Sequence, residues 1–351
     1  MPPLSALTIP AVDPTPIFEL ARGSYGTELL AAAVAHFGLF GRLAQQSLTR
    51  AELATALGIA QRPATVLTTA LQAMQMLHAD AQGRLHLTDL AREHLLPGSP
   101  FDVGDYVGLA ANSPGVLAMV ERLRTNQPAG AKADEGGVAY IYREGVASTM
   151  EHEASARHFT LALAGRAKNV APHLARAAPL PNAKLLLDLG GGSGIYSIAM
   201  LQQNPRLEAI VLDRPEVLKI AVEMAHAYGV ADRLRTQACD MFRDALPTGA
   251  DAVLLSNILH DWDIPDCRTL VQRSADALAP GGQVLIHDVF LNDALDGPLP
   301  VALYSAALFS LTEGRAYSAA EYRGWLREAG LTPGDLTPTL IHCGVLPGVK
   351  G

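Results

Sequence analysis

The spacing of apolar positions divides the chain into two textures. In the first, Ile17, Leu20, Leu29, Leu30, Val34 and Phe37 fall near helical spacing, and Gly38 predicts the end of that run. Thr49-Arg50-Ala51-Glu52 is a capping box: the Thr49 hydroxyl and the Glu52 carboxylate can each satisfy a backbone donor at a helix start. Gly58 predicts where that helix stops, and a second helix is predicted from Arg62 to about Met76. Leu77 to Leu87, with Asp80-Ala-Gln-Gly83 between apolar ends, reads as a hairpin. Helix, turn, helix, hairpin is the outline of a winged helix. Residues 1–16, rich in proline, read as a flexible arm, and residues 17–98 as the winged-helix-like domain. Residues 99–180 read as a helical linker and substrate-pocket segment, with a polar, glycine-rich interruption from Gln127 to Gly137.

In the second texture, from Pro181 onward, short apolar runs alternate with amphipathic helices. Lys184–Gly190, Leu207–Leu212, Arg233–Ala238, Asp251–Ser256 and Gln283–Val289 predict strands. Ile195–Gln203, Pro215–Tyr228 and Pro265–Leu278 predict helices between them, and runs near Leu331–Leu336 and Leu340–Val345 complete the sheet. Strands alternating with helices require crossovers, so residues 181–351 are expected to form an α/β domain with a mainly parallel sheet covered on both faces.

Composition narrows the function. Apolar residues make up 49% and charged residues 18%, which predicts a packed core. The net charge of −8 disfavours a nucleic-acid partner. The helix after the turn carries Arg62 and then Pro63-Ala-Thr-Val-Leu-Thr-Thr-Ala-Leu-Gln-Ala-Met, which offers almost nothing to phosphates. A scaffold or dimerisation role is the expectation for it. The three cysteines form no CxxC pair, so neither a disulfide framework nor structural zinc is expected, and a reducing compartment is. The first residues lack a basic start followed by an apolar run, and no stretch offers the ~18–20 apolar residues of a membrane span. Cytoplasmic location without a membrane partner is expected. Glu151-His152-Glu153 with His158 resembles a metal set, but histidines six apart do not share a helix face, so no metal is expected.

The candidate chemistry lies at the predicted strand ends. In Leu187-Asp188-Leu189-Gly190-Gly191-Gly192-Ser193-Gly194 a strand runs into glycines that let the backbone turn tightly and approach a ligand. The spacing is not that of a dinucleotide fingerprint, and no Gly-Lys-Ser/Thr ending marks a phosphate loop. Asp188 would repel a pyrophosphate and suits a cofactor with a positive centre or an amino group. Asp213, ending the next strand, can accept both hydroxyls of a ribose. Asp240-Met241-Phe242 can take an adenine amino group and cover its ring. Singly, each is more often a cap or a core residue; together they lie where open α/β sheets bind ligands. Asn257-Ile-Leu-His260-Asp261-Trp262-Asp263 follows the fourth strand and offers His260 as a general base and Trp262 as a flat wall. Asp288, ending the fifth, can orient the His260 imidazole or simply cap a loop.

These motifs assemble into a resemblance that covers nearly the whole chain. The winged-helix-like half, Asp188-Leu-Gly190-Gly-Gly192, Asp213-Arg-Pro, Asp240-Met-Phe, Leu259-His260-Asp261-Trp262 and Pro280-Gly281-Gly282 resemble the plant-type small-molecule O-methyltransferases, in their bacterial branch. The resemblance implies a Rossmann-like class I methyltransferase domain behind an all-helical winged-helix-like dimerisation domain, and a homodimer through that domain. It implies S-adenosylmethionine, leaving as S-adenosylhomocysteine, held by Gly190, Asp213, Asp240, Met241 and Trp262, and a His260 that deprotonates the hydroxyl of an aromatic or polyketide-like acceptor without a metal. Asp188, Gly192, Phe242 and Ser256 complete the expected cofactor set. Met119, Met150, Phe159, Leu163, Tyr304 and Phe309 are candidate acceptor-pocket walls, although core packing is the default for each. The chain departs from the family where a glutamate usually stands on each side of the histidine: Asp288 is one methylene shorter, and Ala316 takes the second place. Ser256 stands where a Lys or Arg is common. The missing carboxylate at Ala316 keeps C- or N-methylation, or a non-methylating use of the fold, as alternatives; a ligand-sensing winged-helix regulator is the alternative from another class.

Overall fold

The computed structural model describes residues 3–127 and 153–351, which divide into two compact units. Of the described residues, the first unit takes 3–16, 153–290 and 319–351, and the second takes 17–127 and 291–318. The chain thus crosses between units where sequence patterning placed no boundary. Residues 291–318 leave the predicted α/β domain for the second unit, and the helix α1 (Glu153–Ala177) leaves the predicted linker for the first. The N-terminal arm is tied down: the Leu4 amide donates to the Ala227 carbonyl at 3.0 Å and the Ala6 amide to the Gln202 side chain at 2.7 Å.

The first unit is built on a mixed sheet. Its strands are β1 (Leu185–Leu189), β2 (Glu208–Asp213), β3 (Leu234–Ala238), β4 (Ala250–Ser256), β5 (Leu278–Leu291), β6 (Leu331–Pro333), β7 (Thr337–Pro338) and β8 (Cys343–Lys350). The order is β6-β8-β5-β4-β1-β2-β3, with β7 on β8. From β3 to β5 the pairing is parallel, and β6, β7 and β8 are added antiparallel. The parallel strands β1 and β4 are near-continuous apolar runs because helices cover both faces. Those helices include α2 (Ile195–Gln203), α3 (Pro215–Ala227), α4 (Ile264–Ala277) and α5 (Ala319–Glu328). The chain leaves β1 toward β2 and β3, then returns to place β4 on the other side of β1. That reversal opens a crevice beyond the carboxyl ends of β1 and β4, where ligands bind in such sheets.

In the second unit both partners of the predicted capping box are made: Glu52 N–H donates to the Thr49 hydroxyl and Thr49 N–H to the Glu52 carboxylate. Helix Arg50–Leu57 ends at Gly58 with φ +66, and helix Gln61–Ala73 follows. Strands Leu48–Thr49, Leu77–Ala79 and Arg84–Leu87 then form a three-stranded antiparallel sheet. Helix Leu299–Leu311, which is apolar all round, supplies Ala306 and Phe309 to the core that also holds Leu67, Leu71 and Met119. Arg62 is buried: its guanidinium donates to the carbonyls of Thr312 and Gly314 and to Asn126, and lies 4.8 Å over the Phe309 ring. The basic residue of that helix therefore braces its own unit.

Candidate active site

The turn after β1 starts the site. Gly190, Gly192 and Gly194 have φ of +71, +59 and +69, a left-handed path that side chains resist. At Gly190 a Cβ would meet the Ile258 Cδ1 at 2.5 Å, so glycine is what lets the loops after β1 and β4 touch. At Gly192 nothing stands within 4 Å of a Cβ position. The Asp213 carboxylate fixes the loop, accepting from the Gly192 amide at 2.8 Å and from its neighbour Arg214 at 2.7 Å. Burial raises the Asp213 pKa against those two bonds.

Asp188 is 1% exposed. One carboxylate oxygen accepts from the Ser197 hydroxyl at 2.6 Å, and the other has no partner. Burial pushes its pKa up to about 7; the Ser197 bond opposes this and the Asp213 charge adds to it. A buried carboxylate with an orphaned oxygen beside an open glycine turn fits a ligand that carries an ammonium group, and it disfavours a phosphate. Ser197 is a site residue that local spacing does not mark: its only signal is its place in the first turn of α2, nine residues after Asp188.

After β3, Asp240 is exposed, and it accepts from the Phe242 amide at 2.9 Å. Met241 is half-buried, and Arg273 of α4 donates to its carbonyl at 2.8 Å. Phe242 stands edge-on to buried Trp262, their centroids 4.7 Å apart, so the walls expected from two separate loops meet. Ser256 shares a 2.7 Å hydrogen bond with His287 and accepts from Asn257 at 3.1 Å. Burial, then the Arg166 charge, hold His287 down at about 3. Arg166 also donates to Asn257 at 2.9 Å, and Asn257 takes φ +56 to turn the chain toward His260.

His260 lies in a short 3-10 turn, Leu259–Asp261, at 4% exposure. Its Nδ1 is 2.5 Å from an oxygen of fully buried Asp288. An ionised carboxylate only accepts, so Nδ1 carries the proton and Nε2 is the basic nitrogen. Asp261 Oδ1 stands 3.6 Å from Nε2. Burial favours the neutral imidazole, but the charges of Asp288 and Asp261 and the Asp288 hydrogen bond outweigh it and raise the His260 pKa. Burial also presses on Asp288. There the His260 charge and the donors His260, Val289 and Tyr322 prevail and hold the carboxyl below its usual range. Asp261 is pushed up to about 7, by burial first.

The structure brings Asp188, Gly190, Gly192, Asp213, Asp240, Met241, Phe242, Ser256, Trp262, His260 and Asp288 into one unit, at or just beyond strand ends except for Asp288, which lies inside β5 because that strand runs on to Leu291. The candidate wall residues are divided between the two units. Phe159 is half-buried and Leu163 half-exposed on α1. Met119 and Phe309 are fully buried in the core of the second unit. Tyr304, also there, carries the Arg22 guanidinium 3.9 Å over its ring. Met150 and His152 lie outside the described residues. Ala316 is buried in the second unit, its amide donating to the Ser305 hydroxyl at 3.1 Å. Among the described residues no group of three His, Cys, Asp or Glu could hold a metal, and no helix is long and apolar enough to cross a membrane.

Comparison with known proteins shows the family. The O-methyltransferase domain family matches residues 130–332. The 3-hydroxy-5-methyl-1-naphthoate 3-O-methyltransferase of Streptomyces sahachiroi is 38% identical over 319 residues, covering 90% of this chain and 89% of that protein. The L-tyrosine C(3)-methyltransferase of Streptomyces lavendulae is 29% identical, covering 82% and 78%. The crystal structure of an O-methyltransferase family 2 protein from Planctomyces limnophilus, in complex with apigenin, is 47% identical over the full length of both chains, with a TM-score of 0.89. A domain match over more than half the chain, joined to a class I methyltransferase fold, is decisive: the chain belongs to the O-methyltransferase family and is an S-adenosylmethionine-dependent methyltransferase.

Proposed function

We propose that the protein methylates a hydroxyl of an aromatic or polyketide-like metabolite, with His260 as general base and Asp288 as its orienting partner. The observation that carries this reading is the buried Nδ1–carboxylate pair at the strand-end edge that also bears the glycine turn. The Streptomyces sahachiroi relative is named for a hydroxynaphthoate and the Planctomyces structure holds apigenin; both are hydroxylated aromatics.

S-adenosylmethionine, when bound, supplies a methyl group on a sulfonium for a single in-line displacement. Asp188 would meet its ammonium end, Gly190 and Gly192 would admit it, and Asp213 would accept its ribose hydroxyls. Asp240 would take the adenine amino group while Met241, Phe242 and Trp262 would cover the ring, and Ser256 would complete that set. His260 Nε2 takes the acceptor's proton, and Asp288 stabilises the imidazolium that results. What remains is holding oxygen and methyl in near-attack geometry with water excluded.

With an acceptor in hand, His260→Ala is expected to lower turnover by about 10²–10⁴-fold. An unchanged rate would place the enzyme among those that only position their substrates. In calorimetry S-adenosylmethionine binds the wild type and binds Asp213→Ala far more weakly; absence of binding to the wild type contradicts the cofactor assignment. C-methylation is the second reading, favoured by the Streptomyces lavendulae relative. A labelled-methyl screen over phenols, polyketides and pigments, with NMR of the product, separates methoxy from carbon-bound methyl.

The second unit acts as the winged-helix-like dimerisation domain in this proposal, and the cytoplasm is its place. Ile17, Leu20, Phe101, Tyr106 and Leu109 of that unit are exposed apolar side chains of the kind that homodimer interfaces bury. Sedimentation of a monomer at micromolar concentration would refute the dimer. Arg62, committed inside its unit, supports a scaffold role over a DNA-reading one.

A further inference from the structure

We infer that Tyr322 is a positioning residue for the His260–Asp288 pair, its hydroxyl holding one carboxylate oxygen so that the other is aimed at Nδ1. The inference rests on the general-base reading above. A carboxylate that meets a histidine through one bond can still turn about its Cβ–Cγ axis, and its partner then loses a fixed direction. At Asp288 the two oxygens are held by different elements. Oδ1 accepts from the Val289 amide at 2.8 Å and pairs with His260 at 2.5 Å. Oδ2 accepts from the Tyr322 hydroxyl of α5 at 3.1 Å. The torsion is locked from both ends.

The tyrosine is itself aimed. It is fully buried, and its ring stands edge-on to Phe290 and to Trp325, each with centroids 5.3 Å away. Packing alone would be served by phenylalanine; the buried hydroxyl is there at a desolvation cost that the carboxylate offsets.

The bond also bears on the proton. His260 faces Asp288 from β5, Asp261 from its own turn and the more distant Arg166 from α1; Asp288 acts in turn on His287 and Asp261. A donor on the carboxylate stabilises it most when the imidazole opposite is uncharged. Tyr322 therefore favours the neutral, proton-accepting histidine, and its loss favours the imidazolium.

The test is Tyr322→Phe, which keeps the ring. Turnover is expected to fall about tenfold, the order of one hydrogen bond to a charged group. The acidic limb of the pH–kcat profile is expected to move up by about half a pH unit. Affinity for S-adenosylhomocysteine should stay within twofold. In Asp288→Asn, adding Tyr322→Phe should change turnover by less than twofold, because the two act as one unit. An unmoved pH profile, an additive double variant, or loss of S-adenosylhomocysteine binding in Tyr322→Phe would each overturn the inference. If His260→Ala leaves turnover unchanged, the general-base reading fails instead, whatever Tyr322→Phe does.

Discussion

At the scale of single residues, Asp188 makes a sharp prediction. The fold holds its carboxyl near 7, above the ordinary 3.8, so the neutral form is the one that folding favours. That stabilisation is complete below 3.8 and is lost as pH rises through about 7. A cationic ligand reverses the preference by stabilising the carboxylate. Affinity for S-adenosylmethionine should therefore climb between about pH 5 and 8, with a proton released on binding near neutrality. Calorimetry in buffers of different ionisation heat measures both effects, and Asp188→Asn should abolish them; a pH-independent wild-type affinity contradicts the assignment. At Gly190 a methyl group would force the Ile258 Cδ1, 2.5 Å from its position, to shift, and φ of +71 strains any side chain. Gly190→Ala should destabilise by about 2 kcal/mol in urea unfolding and weaken cofactor binding at least tenfold.

At the scale of elements, local sequence sufficed wherever the deciding contacts are local. The Thr49 box, the Gly58 stop and helix Ile195–Gln203 all lie where patterning placed them. Strand β1 is legible because a central parallel strand is apolar throughout. Helix Leu299–Leu311 was not legible as a core element: apolar on every side, it has no periodic face to read, and only the partner helix Gln61–Ala73 gives it one. Arg62 shows the same limit, since its carbonyl partners are 250 and 252 residues away. Arg62→Met strands those two carbonyls and should cost about 2–4 kcal/mol in urea unfolding. Thr49→Ala, which loses one exposed cap, should cost about 1 kcal/mol. Equal costs would mean that Arg62 is not a brace.

At the scale of the molecule, the second unit is discontinuous, and this gives a prediction for fragments. Residues 17–127 alone lack Ala306 and Phe309 from their core and the carbonyls that Arg62 and Gln72 bind. That fragment should melt without a cooperative transition by circular dichroism. Joining residues 291–318 to it through a flexible linker should restore cooperativity.

The sequence by itself determined the alternation of strands and helices from Lys184 to Val289, the glycine turn with its acidic residues, and the histidine turn, because each depends on residues close along the chain. Tertiary structure decided what those groups can do. It left one Asp188 oxygen unpaired and brought Phe242 against Trp262. It set Asp288, 28 residues on, against Nδ1 of His260, with Tyr322 behind it from a helix 34 residues further. Burial and the meeting of distant side chains set those properties, and neither is written in local spacing.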